Sequence, residues 1–262
     1  MRSVCIIPAR MGSSRFPGKP LQKILGLPMI LHLYERCRLF KGFERVVVAT
    51  CDSEIFELIE DYGGEVVMTA ETHERCTDRT YEAVKVLELD LKSSDFVLMV
   101  QGDEILVSPR MLEKMVNTFA QKQAPAINVV SRLTDSVSHD DPNTVKVVAN
   151  SEGRAIYLSR APIPSRSRSD LVPMYQQTGI IGFSAAFLKK FGELEPTPLE
   201  IVESIDMLRV IEHNLTLNLV FIDSETVGVD TKADLKRAES LLRSDSFIKQ
   251  YLASAQEKFS HL

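Results

Sequence analysis

The apolar positions in the first half of the chain fall into two alternating kinds of segment. Val4–Ile7, Arg45–Thr50, Glu65–Met68 and Phe96–Val100 are short, nearly continuous apolar runs of strand length. Between them the spacing becomes helical. From Pro28 to Leu39 it puts Ile30, Leu31, Tyr34 and Cys37 on one face. A second helix, which Asp52 or Ser53 can cap, runs to about Tyr62 and ends at Gly63-Gly64. Arg79–Leu91 reads as a third helix, and the first-turn proline Pro109 opens a fourth that ends near Gln123. Buried strands separated by helices predict a parallel sheet covered on both faces. Ligands of such sheets sit beyond the carboxyl ends of the strands, so the loops after Ile7, Thr50 and Val100 are where chemistry is expected.

From about residue 124 to 183 strand-like runs dominate: Ala126–Val130, Val145–Ala149, Ala155–Leu158 and Ile180–Phe183. The polar stretch Ser165–Asp170 reads as a surface loop. Leu199–His213 is predicted as a helix, Leu217–Ile222 as a strand and Thr231–Arg243 as a last helix, followed by an amphipathic C-terminal tail over 244–262. The pattern gives a single α/β domain over 1–262, with a mostly parallel central sheet flanked by helices and a β-rich elaboration at 124–183.

Composition narrows the function. Hydrophobic residues make up 44% and charged residues 26% of the chain, a globular balance. With 31 Lys+Arg against 36 Asp+Glu the net charge is -5, which argues against a nucleic-acid coat but leaves room for a local phosphate pocket. Cys5, Cys37, Cys51 and Cys76 form no C-x-x-C pair and read as reduced thiols of a cytoplasmic protein. No apolar run is long enough for membrane insertion.

Four segments could carry chemistry. The loop Pro8–Pro20 holds Gly12, Gly18, Arg10, Arg15 and Lys19, glycines and cations suited to cradling a triphosphate, though a turn with solvated charges has the same composition. Asp103 and Glu104 in V-Q-G-D-E end an apolar strand; they suit a hard cation, or a turn before Pro109, and Gly102 would let the backbone pass close to a nucleotide. Asp230 is either a second carboxylate of that site or a helix N-cap. Finally, Thr77 or Asp78 can cap the helix that carries Arg79, and Arg79 could face phosphate or nucleoside. His32, His139, His213 and His261 lie in no catalytic pattern.

P-A-R-M-G-S-S-R-F-P-G-K-P-L at Pro8–Leu21 resembles the opening signature of the 3-deoxy-manno-octulosonate (Kdo) cytidylyltransferases. V-Q-G-D-E, D-P-N at Asp141–Asn143, V-K-V-V at Val145–Val148, S-R-A at Ser159–Ala161, P-L-E at Pro198–Glu200 and G-V-D-T at Gly228–Thr231 follow in the family's order. The resemblance implies a fold of the nucleotide-diphospho-sugar transferase type, a homodimer, and transfer of CMP from CTP to the anomeric hydroxyl of Kdo or a related sugar acid for surface polysaccharide. It places Ala9, Arg10, Gly12, Ser13, Ser14, Arg15, Lys19, Arg79 and Gln101 on the nucleotide, with Arg15, Lys19, Asp103 and Asp230 catalytic. Asp103 and Asp230 would hold Mg2+. Arg160, Gln177, Ile181, Glu203, Asp206 and Met207 would face the sugar. The family commonly reads S-G-T-E-R where this chain has Arg75–Arg79, and has His, Tyr and Gln where it has Gln177, Ile181 and Met207. These differences leave open a nonulosonate or amino-modified acid as acceptor. A catalytically inactive nucleotide-binding regulator is the reading from another class.

Overall fold

The computed structural model describes residues 1–13, 15–122, 124–168, 173–223 and 226–262. In the first half, β1 (Ser3–Pro8) leads through a small hairpin, β2 (Lys23–Ile24) and β3 (Leu27–Pro28), into α1 (Met29–Leu39). Then follow β4 (Arg45–Thr50), α2 (Ser53–Asp61), β5 (Glu65–Met68), α3 (Cys76–Val86), β6 (Phe96–Val100) and α4 (Pro109–Lys122). The second half holds β7 (Ala126–Leu133), α5 (Ser136–Asp140), β8 (Lys146–Ala149), β9 (Ala155–Ser159), β10 (Met174–Ser184) and α6 (Ala185–Glu193). It closes with α7 (Pro198–Glu203), α8 (Leu208–Glu212), β11 (Leu217–Ile222), α9 (Lys232–Ser244) and α10 (Leu252–Phe259).

The main sheet runs β11-β7-β10-β6-β1-β4-β5. Four of its six neighbouring pairs are parallel; β10 is the exception, antiparallel to both β6 and β7. Alternate side chains of each strand serve opposite faces, as the pleat requires. Cys5 and Ile7 pack with α1, α4, α9 and α10, while Val4 and Ile6 pack with α3, α6 and α8. Both faces are therefore covered, which is why the strands read as continuous apolar runs.

Four expectations change in detail. The 124–183 stretch is divided: β7 and β10 belong to the main sheet, and only β8 and β9 stand off its path. The third helix begins at Cys76, so Thr77 and Asp78 lie inside its first turn and cap nothing. It stops before Glu88, whose φ of 46° is left-handed, although the leucines at 87, 89 and 91 extend the helical spacing. The single helix expected at 199–213 is broken at Ser204, with φ 55°, into α7 and α8. Across that break Arg209 clasps the buried Glu200 with two hydrogen bonds of 2.7 and 2.5 Å. The expected tail is packed structure: Ile248, Tyr251 and Ala255 join the core, and the buried Arg36 pairs with Asp245 at 2.5 Å. Gln123 and residues 169 and 170 of the polar loop lie outside the described residues.

Candidate active site

The site grows from the carboxyl ends of β1, β4 and β6. Past β1, Ala9 N donates to Ala49 O at 2.9 Å, which lashes the loop to the next strand. Asp52 stands at the N-cap of α2 yet makes no capping bond; its Oδ2 accepts from Met11 N at 2.8 Å and so holds the loop. Phe16 anchors the loop in the core, and Gly18, at φ 70°, turns it so that its N–H reaches Met11 O at 3.0 Å. Arg10, Gly12, Ser13 and Arg15 are left around a cavity. Ser14 lies outside the described residues.

Lys19 starts the short 3-10 turn that follows. Its Nζ donates to Asp103 Oδ2 at 2.8 Å, to Asp230 Oδ1 at 3.1 Å and to Val229 O at 3.0 Å. Burial opposes the Lys19 charge, but the two carboxylates outweigh it and hold its pKa above the ordinary lysine value. Arg15 reaches the same acid from the other side, Nη2 to Asp230 Oδ2 at 2.7 Å, while its Nη1 donates to Asn143 Oδ1 at 2.5 Å.

Each acid is free for this work because a neighbour takes the structural task. Thr231 and Asp234 form the capping box of α9, so Asp230 is not the cap. Ser108 Oγ accepts from Met111 N at the start of α4, so Asp103 is not needed there. Gly102 lines the first cavity and has a second purpose as well. Its N–H donates to Pro8 O, and a Cβ there would lie 3.0 Å from that oxygen and 3.2 Å from Ala9 Cβ. The glycine permits β6 to approach β1, and the loop is placed by that approach. Glu104 turns inward: its Oε1 accepts from Gly179 N at 2.5 Å, and burial pushes its pKa up to about 7.

Opposite lies an irregularity in β10 between Gln177 and Ile181. Asn128 stabilises it, donating to Thr178 O and Ile180 O at 3.0 Å each and accepting from Gln177 Nε2 at 2.7 Å. The irregularity aims residues 177–179 into a second, larger cavity of about 780 Å³, against about 240 Å³ for the first. The two cavities share Arg15, Gln101, Asp103 and Asp230. Two separate ligands would therefore meet at one cluster of two acids and a cation, with Lys19 beneath.

The structure brings Ala9, Arg10, Gly12, Ser13, Arg15, Lys19, Arg79, Gln101, Asp103 and Asp230 to the first cavity. Arg79 lines it from behind, 3% exposed, its guanidinium spent on Thr69 Oγ1, Ala70 O and His73 O. It braces the segment 69–73, of which His73 lines the cavity. Arg160, Gln177, Ile181 and Asp206 line the second cavity. Met207 and Glu203 do not. Met207 is fully buried in the core beneath α8, and Glu203 is engaged by Ser159 Oγ at 2.6 Å and Arg160 N at 2.9 Å, so that it holds Arg160. Sequence reasoning missed Asn143, Asn128 and Arg75, and it offered Glu104 beside Asp103 for a hard cation, whereas the buried Glu104 carboxylate is taken up by Gly179 N. Asn143 sits in the D-P-N motif and offered a signal; Asn128, within an apolar strand, offered only its polarity.

The comparisons agree with this geometry. The family model described as cytidylyltransferase matches residues 4–223. The 3-deoxy-manno-octulosonate cytidylyltransferase of Syntrophobacter fumaroxidans is 40% identical, over 94% of this chain and 99% of that protein. An 8-amino-3,8-dideoxy-manno-octulosonate cytidylyltransferase of Shewanella sediminis is 37% identical, over 94% of this chain and 100% of that protein. A solved structure of CMP:2-keto-3-deoxy-manno-octonic acid synthetase complexed with CTP matches with a TM-score of 0.84 at 33% identity, covering 93% of this chain and 99% of the other. The sequence resemblance, the two cavities and these matches converge: the chain belongs to the cytidylyltransferase family.

Proposed function

We propose that the protein transfers CMP from CTP to the anomeric hydroxyl of Kdo or a closely related 3-deoxy-ulosonic acid, releasing pyrophosphate. The observation that carries this is the sharing of Arg15, Gln101, Asp103 and Asp230 by the two cavities. CTP occupies the smaller cavity with its phosphates on the Arg10–Lys19 loop. The sugar acid occupies the larger one, between Arg160 and Gln177. The anomeric hydroxyl oxygen then attacks the α-phosphate in line and gives up its proton to water, while the bond from phosphorus to the bridging oxygen breaks and its electron pair leaves with pyrophosphate. Arg15 and Lys19 stabilise the charge that develops on the leaving phosphates. Positioning across the shared residues supplies the rest.

Asp103 and Asp230 fit a hard divalent cation. Both carboxylates already converge on one cation, the Lys19 ammonium. Among the described residues no group of three or more His, Cys, Asp or Glu is gathered. The protein thus offers two oxygen ligands and leaves the remainder to water and phosphate oxygens, the habit of Mg2+. When bound, Mg2+ would neutralise phosphate charge at the reacting centre.

The same reading carries a cytoplasmic homodimer, supported by four free cysteines and by the exposed apolar side chains of Ile201 and Val202 on α7. No helix among the described residues is long and apolar enough to cross a membrane. The test is pyrophosphate release with CTP against a panel of sugar acids. Release with none of them, while CTP still binds, would leave the inactive regulator as the better account.

A further inference from the structure

Arg75 stands where α3 begins but does no capping. Its side chain crosses from the nucleotide cavity to the break between α7 and α8. There Nη1 donates to Ser204 Oγ at 2.7 Å, and Nε stands 3.6 Å from Asp206 Oδ1. Ser204 and Asp206 line the larger cavity, whereas Arg75 lines the smaller one. The guanidinium is therefore built into the wall between the two ligands.

Asp206 is the carboxylate that this wall presents to the acceptor. Burial favours its protonated form, and Arg75 and the Thr77 hydroxyl, 2.9 Å from Oδ2, oppose that. A second guanidinium flanks the same loop: Arg160 donates through Nε to Glu203 O at 2.7 Å and through Nη2 to Ser204 O at 3.4 Å. Arg75 thus sets a cation against Asp206 before any acceptor arrives, while burial and the neighbouring Glu200 and Asp78 still hold its pKa above the ordinary aspartate value. A hydroxyl brought against it loses nothing by this, since it needs only an acceptor oxygen. An ammonium would enter beside a resident cation and meet a carboxylate already paired, so most of its electrostatic gain is gone.

We propose that Arg75 is a specificity-determining residue, which screens Asp206 so that the acceptor group facing this carboxylate is an uncharged hydroxyl and not an ammonium. The inference rests on the reading of the larger cavity as the acceptor site.

The experiment compares kcat/KM for 3-deoxy-manno-octulosonate and for its 8-amino-3,8-dideoxy analogue, with CTP and the full-length enzyme. In Arg75→Ser the ratio of amino to hydroxy acceptor should rise about tenfold, equivalent to about 1.4 kcal/mol. Arg75→Lys, which keeps the cation, should stay near the wild-type ratio. Arg75→Ser with Asp206→Asn should lose the rise, because the carboxylate is then absent. If the serine variant fails to fold, Arg75→Gln provides the same loss of charge at similar volume. An unchanged ratio with both acids still used, or an equal loss with both, overturns the inference and leaves Arg75 as a pin for the loop at 204–206. If the wild type binds CTP but uses neither acid, the acceptor reading itself falls, and this inference with it.

Discussion

Lys19 and Asp103 are 84 positions apart in sequence and 2.8 Å apart in space, Nζ to Oδ2. Asp230 completes the cluster from the far end of the chain. In the free protein the lysine occupies the place between the two acids, and a triphosphate with its cation must draw it away toward phosphate oxygens.

Removing either acid should therefore stop the chemistry without unfolding the protein. Asp103→Asn or Asp230→Asn leaves Lys19 one carboxylate and one carbonyl. Each should lower kcat/KM by a factor on the order of 10³, as loss of a charged transition-state contact does. Circular dichroism should stay unchanged, and excess EDTA should silence the wild type. Substantial pyrophosphate release in EDTA would exclude the two-acid cation site.

Arg15 links the phosphate loop to Asn143 as well as to Asp230. Arg15→Ala should cost about 2–4 kcal/mol of transition-state stabilisation with every acid tested. Asn143→Ala should cost about 1 kcal/mol, since it removes one hydrogen bond and leaves the ion pair to Asp230 in place. Steady-state kinetics of both variants would check this, and equal losses would show that Asn143 touches a ligand itself.

Gly179 is held by Glu104 and covered by Gln101, and an added Cβ would lie 2.7 Å from Gln101 Cβ and Oε1. Gly179→Ala should displace Gln101 and lower kcat at least tenfold, while destabilising the fold by about 1–3 kcal/mol through overpacking. Full activity in that variant would show that Gln101 has no role at the junction of the cavities.

Arg36 is fully buried; it donates to Val107 O at 2.7 Å and pairs with Asp245 at 2.5 Å, while its Nη1 lacks a partner. Asp245→Ala strands the charge and should cost about 3 kcal/mol of stability. Arg36→Met should cost less, because it removes the charge along with its demand. Urea midpoints of the two variants rank them, and the reverse order would refute the argument.

His32 provides a pH dependence. Its Nε2 lies 2.8 Å from Ile24 O, which can only accept, so Nε2 carries the proton and Nδ1 accepts from the Tyr251 hydroxyl at 2.8 Å. Burial lowers its pKa to about 4 from 6.5. The unfolded chain binds a proton first as the pH falls, so this stability is present above pH 6.5 and is lost toward pH 4. About 2 kcal/mol should be gone by pH 5, and His32→Gln should flatten that slope in urea titrations.

The alternation of β1, β4 and β6 with helices was legible because these strands are buried on both sides, and the edge strand β5 because its short apolar run follows the glycine pair that ends α2. The loop cations and both acids were legible as motif positions. What could not be read from local pattern was tertiary in origin. The left-handed Ser204 that breaks α7 from α8 has no glycine to announce it, and the Glu200–Arg209 clasp that makes the break tolerable joins residues nine apart. Met207 stood beside Asp206 in sequence, yet the turn of the chain after Ser204 sends one to the core and the other to the cavity. The chain from Ser244 onward looked detached because its anchor, Arg36, is a charged residue on the apolar face of α1.

The antiparallel β10, wedged between β6 and β7, has a consequence for synthesis. Val100 waits for Ile180 as its ladder partner, and Lys19 waits 211 positions for Asp230. Such long-range closure slows folding, since the entropy of large loops is spent before the contacts repay it. A nascent chain emerging from the ribosome displays the cationic loop long before the second acid, 211 positions after Lys19, has been made. Truncated products of translation should thus be unable to consume nucleotide, however well their first half has condensed.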